Sequence, residues 1–288
     1  MRSGDPWAFH LHVDVFLVMS VLVVAYIEGI RRLGPRHAPA GRPHATAKQR
    51  VRFGLGVALI LVPATWPLHD IAEDYLFSVH MVQHTVLSLI AVPLMLIGTP
   101  SWLLSRVVRP LQPVVRRATR PLVATLLFNG VVAVSHAAGY VNYTSSHELA
   151  HFAAHTLLFA VSALMWLPVC HQLPELRPMS PPLRMVYLFG QSLLPNVPAI
   201  FLAFADNPIY RWYATAPRIS GLSAVEDQQL AGAIMKVGGT TLIWGVIVVM
   251  FFRWYRATEL DGGPDQLRWE DVERELARTP APPEPRMG

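Results

Sequence analysis

Seven apolar segments limit what this chain can fold into, because each approaches the roughly 20 residues that a helix needs to cross a bilayer. A segment inside a bilayer must satisfy its own backbone hydrogen bonds, which favours helices throughout. The predicted spans lie near residues 12–30, 52–68, 75–97, 121–139, 148–169, 183–205 and 227–252. The sequence therefore predicts an all-α, integral membrane seven-helix bundle.

The composition favours a membrane protein over soluble domains. Of the 288 residues, 52% are hydrophobic and 15% are charged, whereas soluble proteins have about 25% charged residues. Residues 1–256 form the predicted transmembrane domain, and residues 257–288 form a polar cytoplasmic tail that is predicted to be partly disordered. The sequence WAFHLHVD before the first span lacks a basic stretch, so we interpret that span as retained rather than as a signal peptide. Cys170 is the only cysteine, which excludes a Cys-x-x-Cys motif.

The charges of the loops predict the orientation of the chain. Loops 31–52 and 98–120 are rich in arginine, whereas loops 69–74 and 140–147 contain no Lys or Arg. Basic loops stay in the cytoplasm, so this alternation predicts an outside N-terminus and a cytoplasmic C-terminus. The basic loops also explain the pI near 9.7. No basic patch alternates with aromatic residues, and nucleic acid is therefore not an expected partner.

The histidines gather on one side of the predicted membrane. Nine of the twelve lie outside it or in the outer halves of the spans: His10, His12, His69, His80, His84, His136, His147, His151 and His155. Because successive spans run in opposite directions, these positions share a similar depth. A random distribution would have scattered them over both leaflets, so the common depth indicates a functional site.

Two sets of histidines have helical spacing. His80 and His84 are four residues apart in HMVQH, and His147, His151 and His155 follow one another at the same interval. Residues four apart lie on one face of a helix, and such a pair can ligate a metal ion. A single histidine in a span is more often a packing residue, but ionisable side chains in a membrane are costly and indicate function. Two such sets at one depth predict a metal site.

Other side chains at this depth are candidates for completing the site. Further candidate ligands are Met81, His136, His147, Asp227 and Met235. Asp70 is a candidate for orienting a ligand imidazole without touching the metal itself. Thioether together with imidazole is a softer ligand set than zinc usually takes, and it suits Cu(I).

Several of these stretches resemble the CtaG family of cytochrome c oxidase assembly factors, which are seven-span membrane proteins. The resemblance covers about residues 7–255. It rests on PLHDIA at 67–72, FSVHMVQH at 77–84, PLMLIGTP at 93–100, HELAHFAAH at 147–155, MWLPV at 165–169 and DQQLAG at 227–232 followed by Met235. The positions that match the family's site are His80, His84, His151, His155, Asp227 and Met235. Lys236 departs from the family pattern, which has an aromatic residue there.

The resemblance implies a non-catalytic factor that helps to assemble a haem–copper cytochrome c oxidase in the bacterial cytoplasmic membrane. It implies that the protein handles copper, as Cu(I), at the outer face of that membrane. The implied partners are the oxidase subunits, with another copper chaperone as a further candidate. The residues agree in one respect, because the predicted histidine site faces the side from which the oxidase receives its copper.

Two other functions fit parts of the same pattern. A zinc-dependent intramembrane lipid hydrolase would use three histidines, an open position for activated water and a nearby carboxylate. Asp70 or Asp227 is the candidate for that carboxylate. A haem-b protein would need one histidine on each side of the haem, and pairs spaced i, i+4 fit a single ion better. The metal bound by the protein separates the three hypotheses.

Overall fold

The computed structural model describes residues 7–170, 173–260 and 274 of the chain, and these residues form helices and connecting turns without any strand. The α-helices are α1 Val13–Glu28, α2 Gly34–His37, α3 Ala47–Leu61, α4 Leu68–Asp74, α5 Phe77–Val86, α6 Val92–Gly98, α7 Ser101–Val108, α8 Gln112–Ala118, α9 Pro121–Ser135, α10 Ala138–Ser146, α11 Glu148–Cys170, α12 Pro181–Leu193, α13 Asn196–Ala203, α14 Arg211–Ala214, α15 Ala224–Ala233 and α16 Gly239–Tyr255. The predicted all-α class is confirmed. Most of the predicted tail lies outside the described residues.

Wider and tighter helical turns join some of these helices. The π-helical turns are Gly29–Leu33, Leu87–Ala91, Ile234–Gly238 and Arg256–Leu260, and Arg109–Leu111 is a 3₁₀ turn. The π-helical turn Leu87–Ala91 joins α5 to α6 without a break, so the two form one helix over Phe77–Gly98.

Five helices of the described chain are long and apolar enough to cross a membrane: Val13–His37, Phe77–Gly98, Glu148–Cys170, Pro181–Ala203 and Ala224–Glu259. A sixth span is added if Ser101–Ala118 and Pro121–Ser135, which are bent by 86°, are taken as one. The chain is therefore a multi-pass membrane protein by the length and composition of its helices. The predicted spans near 52–68 and 121–139 correspond to α3 and α9, which have 15 residues each. The count of seven spans stays a prediction.

Local sequence explains where several helices begin and end. Thr46 and Gln49 form a capping box at the start of α3, and Ser223 and Glu226 form one at the start of α15. Helix α3 ends at Leu61, two residues before Pro63, because proline lacks the N–H that a continuing helix needs. The segment 194–195 interrupts the span Pro181–Ala203 between α12 and α13.

The chain divides into two units, Met1–Ile247 and Val248–Gly288. Within the first unit, α3 packs against α6, α13 against α15, and α11 against both α9 and α6. Helix α15 also packs against α5. In the described part of the second unit, the rings of Phe251 and Tyr255 stack along the end of α16 with centroids 6.2 Å apart.

The short helices α4 and α14 are joined by hydrogen bonds. The hydroxyl of Tyr213 on α14 donates a hydrogen bond to the carbonyl O of Ala72 at 2.9 Å, and Trp212 Nε1 donates to the carbonyl O of Glu73 at 2.8 Å. These two bonds anchor the last turn of α4 against the 206–223 loop. The side chains of α4 are thereby held beside the first turns of α5 and α11.

Candidate metal centre

Helices α5 and α11 bring their predicted histidines face to face. His84 Nε2 lies 3.4 Å from His155 Nε2, and the rings of His80 and His84 are 4.2 Å apart. Ligand atoms of His80, His84 and His155 all lie within 4.8 Å of one another, which is close enough to bind one ion. The predicted meeting of HMVQH with the second histidine stripe is thus present in the structure.

A second group of ligand atoms lies beside the first. His69, Glu73 and His151 also place one ligand atom each within 4.8 Å of the others. His69 and Glu73 come from α4, where their spacing of four residues puts them on one face. We call these six side chains the histidine cluster: His69, Glu73, His80, His84, His151 and His155.

The Glu73 carboxylate joins the two groups. Its Oε1 accepts a hydrogen bond from His80 Nδ1 at 2.8 Å and lies 3.3 Å from His151 Nε2 and 4.0 Å from His155 Nε2. Because Nδ1 of His80 donates to this carboxylate, its Nε2 carries the free lone pair. A carboxylate that orients an imidazole in this way is the usual support of a histidine metal ligand.

Two polar atoms of the cluster, His69 Nδ1 and Glu73 Oε2, are buried without a hydrogen-bond partner. A third, His151 Nε2, is also buried, and its contact is the ion pair of 3.3 Å with Glu73 Oε1. Burying such an atom unpaired costs about 1–3 kcal/mol. All three atoms belong to side chains of the second group, which is formed by His69, Glu73 and His151. A bound cation would remove that cost, so these atoms fit a metal ion.

The charge states of His69 and Glu73 on α4 favour binding of a cation. Burial lowers the pKa of His69 to about 4, assisted by the nearby His12 and opposed by the negative charge of Glu73. Burial alone would raise the pKa of Glu73, but attraction to His151 and His80 and their hydrogen bonds hold it well below its ordinary value. His69 is therefore a neutral imidazole and Glu73 an ionised carboxylate, which are the forms that bind metals.

The sequence did not single out Glu73. Glu73 lies in the predicted loop 69–74, and neither Glu73 nor His69 was among the predicted ligands. A signal for both was present, because His69 and Glu73 are four residues apart and no Lys or Arg lies between the second and third predicted spans to pair with the carboxylate.

Two histidines that precede α1 contact Asp70 and His69 on α4. His10 Nδ1 and His12 Nε2 each lie 2.8 Å from a different oxygen of Asp70, and the ring of His12 packs on that of His69 with centroids 4.5 Å apart. Asp70 thus orients His10 and His12 and has no contact with His80 or His84 in the hydrogen bonds of the described chain. Its role of orienting the imidazole of a metal ligand stays a prediction.

A cavity of about 70 Å³ lies next to His84 and is bordered by both predicted methionines. Met81, His84, His136 and Met235 line it, together with apolar side chains such as Phe128. His136 Nε2 lies 3.4 Å from Met81 Sδ. The π-helical turn Ile234–Gly238 carries Met235 into this wall, whereas the side chain of Lys236 is exposed.

The family model for cytochrome c oxidase caa3 assembly factors (Caa3_CtaG) matches residues 24–257 of the chain. The chain belongs to this family. The match includes every residue of the histidine cluster and confirms the resemblance found in the sequence. No curated protein and no solved structure matches the chain.

Asp227 is one of the six positions that match the CtaG pattern, and its carboxylate is hydrogen-bonded to the start of α5. Its Oδ2 accepts a hydrogen bond from the backbone N–H of Phe77 at 2.8 Å, and its Oδ1 accepts from the N–H and hydroxyl of Ser78 at 3.1 and 2.5 Å. Asp227 is buried, with 1% of its surface exposed. It therefore caps α5 from a neighbouring helix, while its role as a metal ligand stays a prediction.

The remaining predicted ligand of this CtaG protein, His147, stands apart from the cluster. Its side chain is exposed, and its Nδ1 lies 2.9 Å from the carbonyl O of Tyr143 within the preceding turn. The structure thus brings together His80, His84, His151 and His155, and sets Met81, His136 and Met235 around the neighbouring cavity.

Proposed function

We propose that this CtaG protein binds copper in its histidine cluster and passes it to the haem–copper cytochrome c oxidase that the family assembles. The observation that carries the proposal is the pair of unpartnered buried atoms His69 Nδ1 and Glu73 Oε2, which belong with His151 to one group of potential ligands. These atoms lie beside three further imidazoles, of which two are in contact. Such a set has unmet bonding capacity for a cation.

The chemistry of the ligands favours copper among the candidate ions. Imidazole suits copper, zinc, iron and nickel, while nearby thioethers shift the preference towards Cu(I). Met81 directly follows His80 in the chain and is buried next to the cluster. Copper is also the metal that a haem–copper oxidase consumes, so a factor for its assembly has a use for this ion. The role requires binding and release, and it requires no catalysis.

The proposed orientation places the cluster at the outer face of the bacterial cytoplasmic membrane. In a seven-span arrangement with the N-terminus outside, the acidic loop 69–74 and the start of α11 lie on the outer side. Copper could then be exchanged with oxidase subunits or with another copper chaperone at that face. Ligand exchange between proteins needs access from outside, and Glu73 and His155 retain 15% and 21% side-chain exposure.

The two alternative functions have weaker support. A haem would separate its two histidine ligands by the width of the iron and two coordination bonds, whereas the rings of His84 and His155 are only 4.8 Å apart. A zinc hydrolase would need an open position for water next to a free carboxylate, and Glu73 rather than Asp70 or Asp227 is the carboxylate at the cluster. Zinc with lipid hydrolysis is therefore kept as an outcome of the test.

The test is metal analysis of the full chain in nanodiscs, loaded with Cu(I) without oxygen. The double variant His84→Ala/His151→Ala removes one ligand from each group, and we expect it to lose the copper bound by the cluster. His147→Ala is the matched control, because that histidine is exposed and bonded within its own turn. Unchanged copper in the double variant, or zinc accompanied by lipid hydrolysis in the wild type, would contradict the proposal.

A cellular measurement tests the direction of delivery. A strain lacking the protein should assemble the oxidase without its full copper content, and the His147→Ala form should restore it. The His84→Ala/His151→Ala form should be produced in the membrane but should leave the oxidase deficient in copper. Full oxidase activity with this variant would separate assembly from copper binding.

A further inference from the structure

The cavity beside His84 contains two Lewis bases that face each other. His136 Nε2 and Met81 Sδ are 3.4 Å apart, and Met235 borders the same space. The rest of the wall combines apolar side chains such as Phe128 and Leu158 with uncharged polar ones such as Gln191 and Asn196. An imidazole nitrogen and two thioethers around one small cavity form a soft ligand set.

The hydrogen bonds of His136 determine which nitrogen faces the sulfur as a base. Its Nδ1 lies 2.7 Å from the carbonyl O of Val132, and a carbonyl can only accept, so Nδ1 carries the proton and donates. In the neutral ring, Nε2 then presents a lone pair to Met81 Sδ, which is itself a weak acceptor with no hydrogen to give. The two atoms therefore meet without a proton between them.

The charge of the cavity wall bears on which ion fits. Among the described residues that line the cavity, none is an Asp or Glu, so the nitrogen and sulfur ligands bring no negative charge. A soft monovalent cation between His136 Nε2 and Met81 Sδ would satisfy both lone pairs.

We infer that Met81, His136 and Met235 form a second metal site, separate from the histidine cluster and selective for a soft monovalent ion such as Cu(I) or Ag(I). The inference deepens the proposed copper function and rests on it for the identity of the natural ion. Met81 and His136 come from α5 and from the end of α9, and Met235 comes from the π-helical turn after α15. The site is thus assembled from three separate parts of the chain.

His84 lies at the boundary between the two sites. Its Nε2 faces His155 in the histidine cluster, while the same side chain borders the cavity with Met81 and Met235. One imidazole could therefore remain bound while an ion exchanges nitrogen and carboxylate ligands for thioethers. The cluster contains a carboxylate and can hold divalent ions, whereas the thioether site discriminates against them. The pair of sites would select Cu(I) from other ions that enter the cluster.

The experiment uses the full chain in nanodiscs, titrated with Ag(I) or Cu(I) in the absence of oxygen, with X-ray absorption to detect sulfur ligands. The variant Met81→Leu/Met235→Leu conserves side-chain volume and removes both thioethers. We expect it to lose the sulfur signal and an equivalent of bound Ag(I) while keeping the metal of the histidine cluster. Met95→Leu/Met165→Leu is the control, because these methionines are buried but do not line the cavity.

The outcomes separate the second site from the proposed function. Full Ag(I) binding and an unchanged sulfur signal in Met81→Leu/Met235→Leu would overturn the second site. His136→Gln gives an independent test, since it should also weaken Ag(I) binding without changing the sulfur content of the protein. If His84→Ala/His151→Ala keeps its copper but Met81→Leu/Met235→Leu loses it, the thioether site stands and the histidine cluster is not the binding site.

Discussion

The two halves of the helix over Phe77–Gly98 differ in the side chains that they bury. The first half, α5, buries polar side chains such as His80 and Gln83. The second half, α6, with the π-helical turn before it, buries Ala91, Val92, Met95 and Gly98. One helix thus combines an end that depends on polar partners with an end that depends on close packing.

Each half is stabilised by a different type of contact. The polar half donates hydrogen bonds to distant parts of the chain, since the backbone N–H of Phe77 donates to Asp227 and Gln83 donates to the carbonyl O of Pro63. The apolar half has no room for added atoms, because α6 and α3 approach each other at Gly56 and Gly98. We therefore expect added bulk to damage the second half and lost partners to damage the first.

The largest expected effect is from Gly98→Ala. A Cβ at this position would meet the backbone N and Cα of Phe53, and the carbonyl O of Gln49 would be only 2.9 Å away. Backbone atoms cannot rotate aside, so we expect a loss of about 3 kcal/mol in the free energy of unfolding. Equilibrium unfolding in mixed micelles measures this loss. The control is Gly54→Ala on α3, where an added Cβ has nothing within 4 Å.

Asp227→Ala tests the cap of the polar half and is expected to have the next largest effect. It leaves the backbone N–H groups of Phe77 and Ser78 without their acceptor, which should lower the free energy of unfolding by about 2 kcal/mol. Asp227→Asn keeps one acceptor oxygen and should lose less. Exposed Asp206 gives the control Asp206→Ala. If Asp227→Ala lost copper without any loss of stability, Asp227 would be a ligand after all.

Glu73→Gln should affect metal binding more than stability. The amide keeps the size of the side chain but lacks the charge that holds His80 and His151, so we expect copper affinity to fall by about 10- to 100-fold. Competition with a Cu(I) chelator measures the change. The matched control is Glu175→Gln, which removes a carboxylate that is bonded to Ser105 instead of to a histidine. Equal copper affinity in the two variants would exclude Glu73 from the site.

Tyr26→Phe should have the smallest effect and concerns the apolar half. The hydroxyl of Tyr26 donates to the carbonyl O of Gly98 at 3.0 Å, while its ring stacks on Phe53 with centroids 3.8 Å apart. Removing only the hydroxyl keeps the stack, so we expect a loss of about 1 kcal/mol in the free energy of unfolding and no change in copper binding. A change in copper affinity would mean that the two halves are coupled.

Helical periodicity made much of the candidate site predictable. His80 with His84, and His151 with His155, were found from their spacing of four residues, because that interval alone puts two side chains on one helix face. Glu73 was missed because its importance depends on α4 lying across the first turns of α5 and α11. That position comes from the bonds of Trp212 and Tyr213, which are about 140 residues away in the chain.

The sequence by itself determined that this is a multi-pass helical membrane protein of the CtaG family with two histidine stripes, because apolar length and helical spacing are local properties of the chain. Only the tertiary structure decided which side chains surround these stripes. In that structure, Glu73 lies among the imidazoles and Asp227 accepts a hydrogen bond from the backbone of α5. A separate cavity is lined by Met81, His136 and Met235. The physical reason is that ligand sets and caps depend on distances between atoms remote in sequence, which hydropathy and periodicity do not encode.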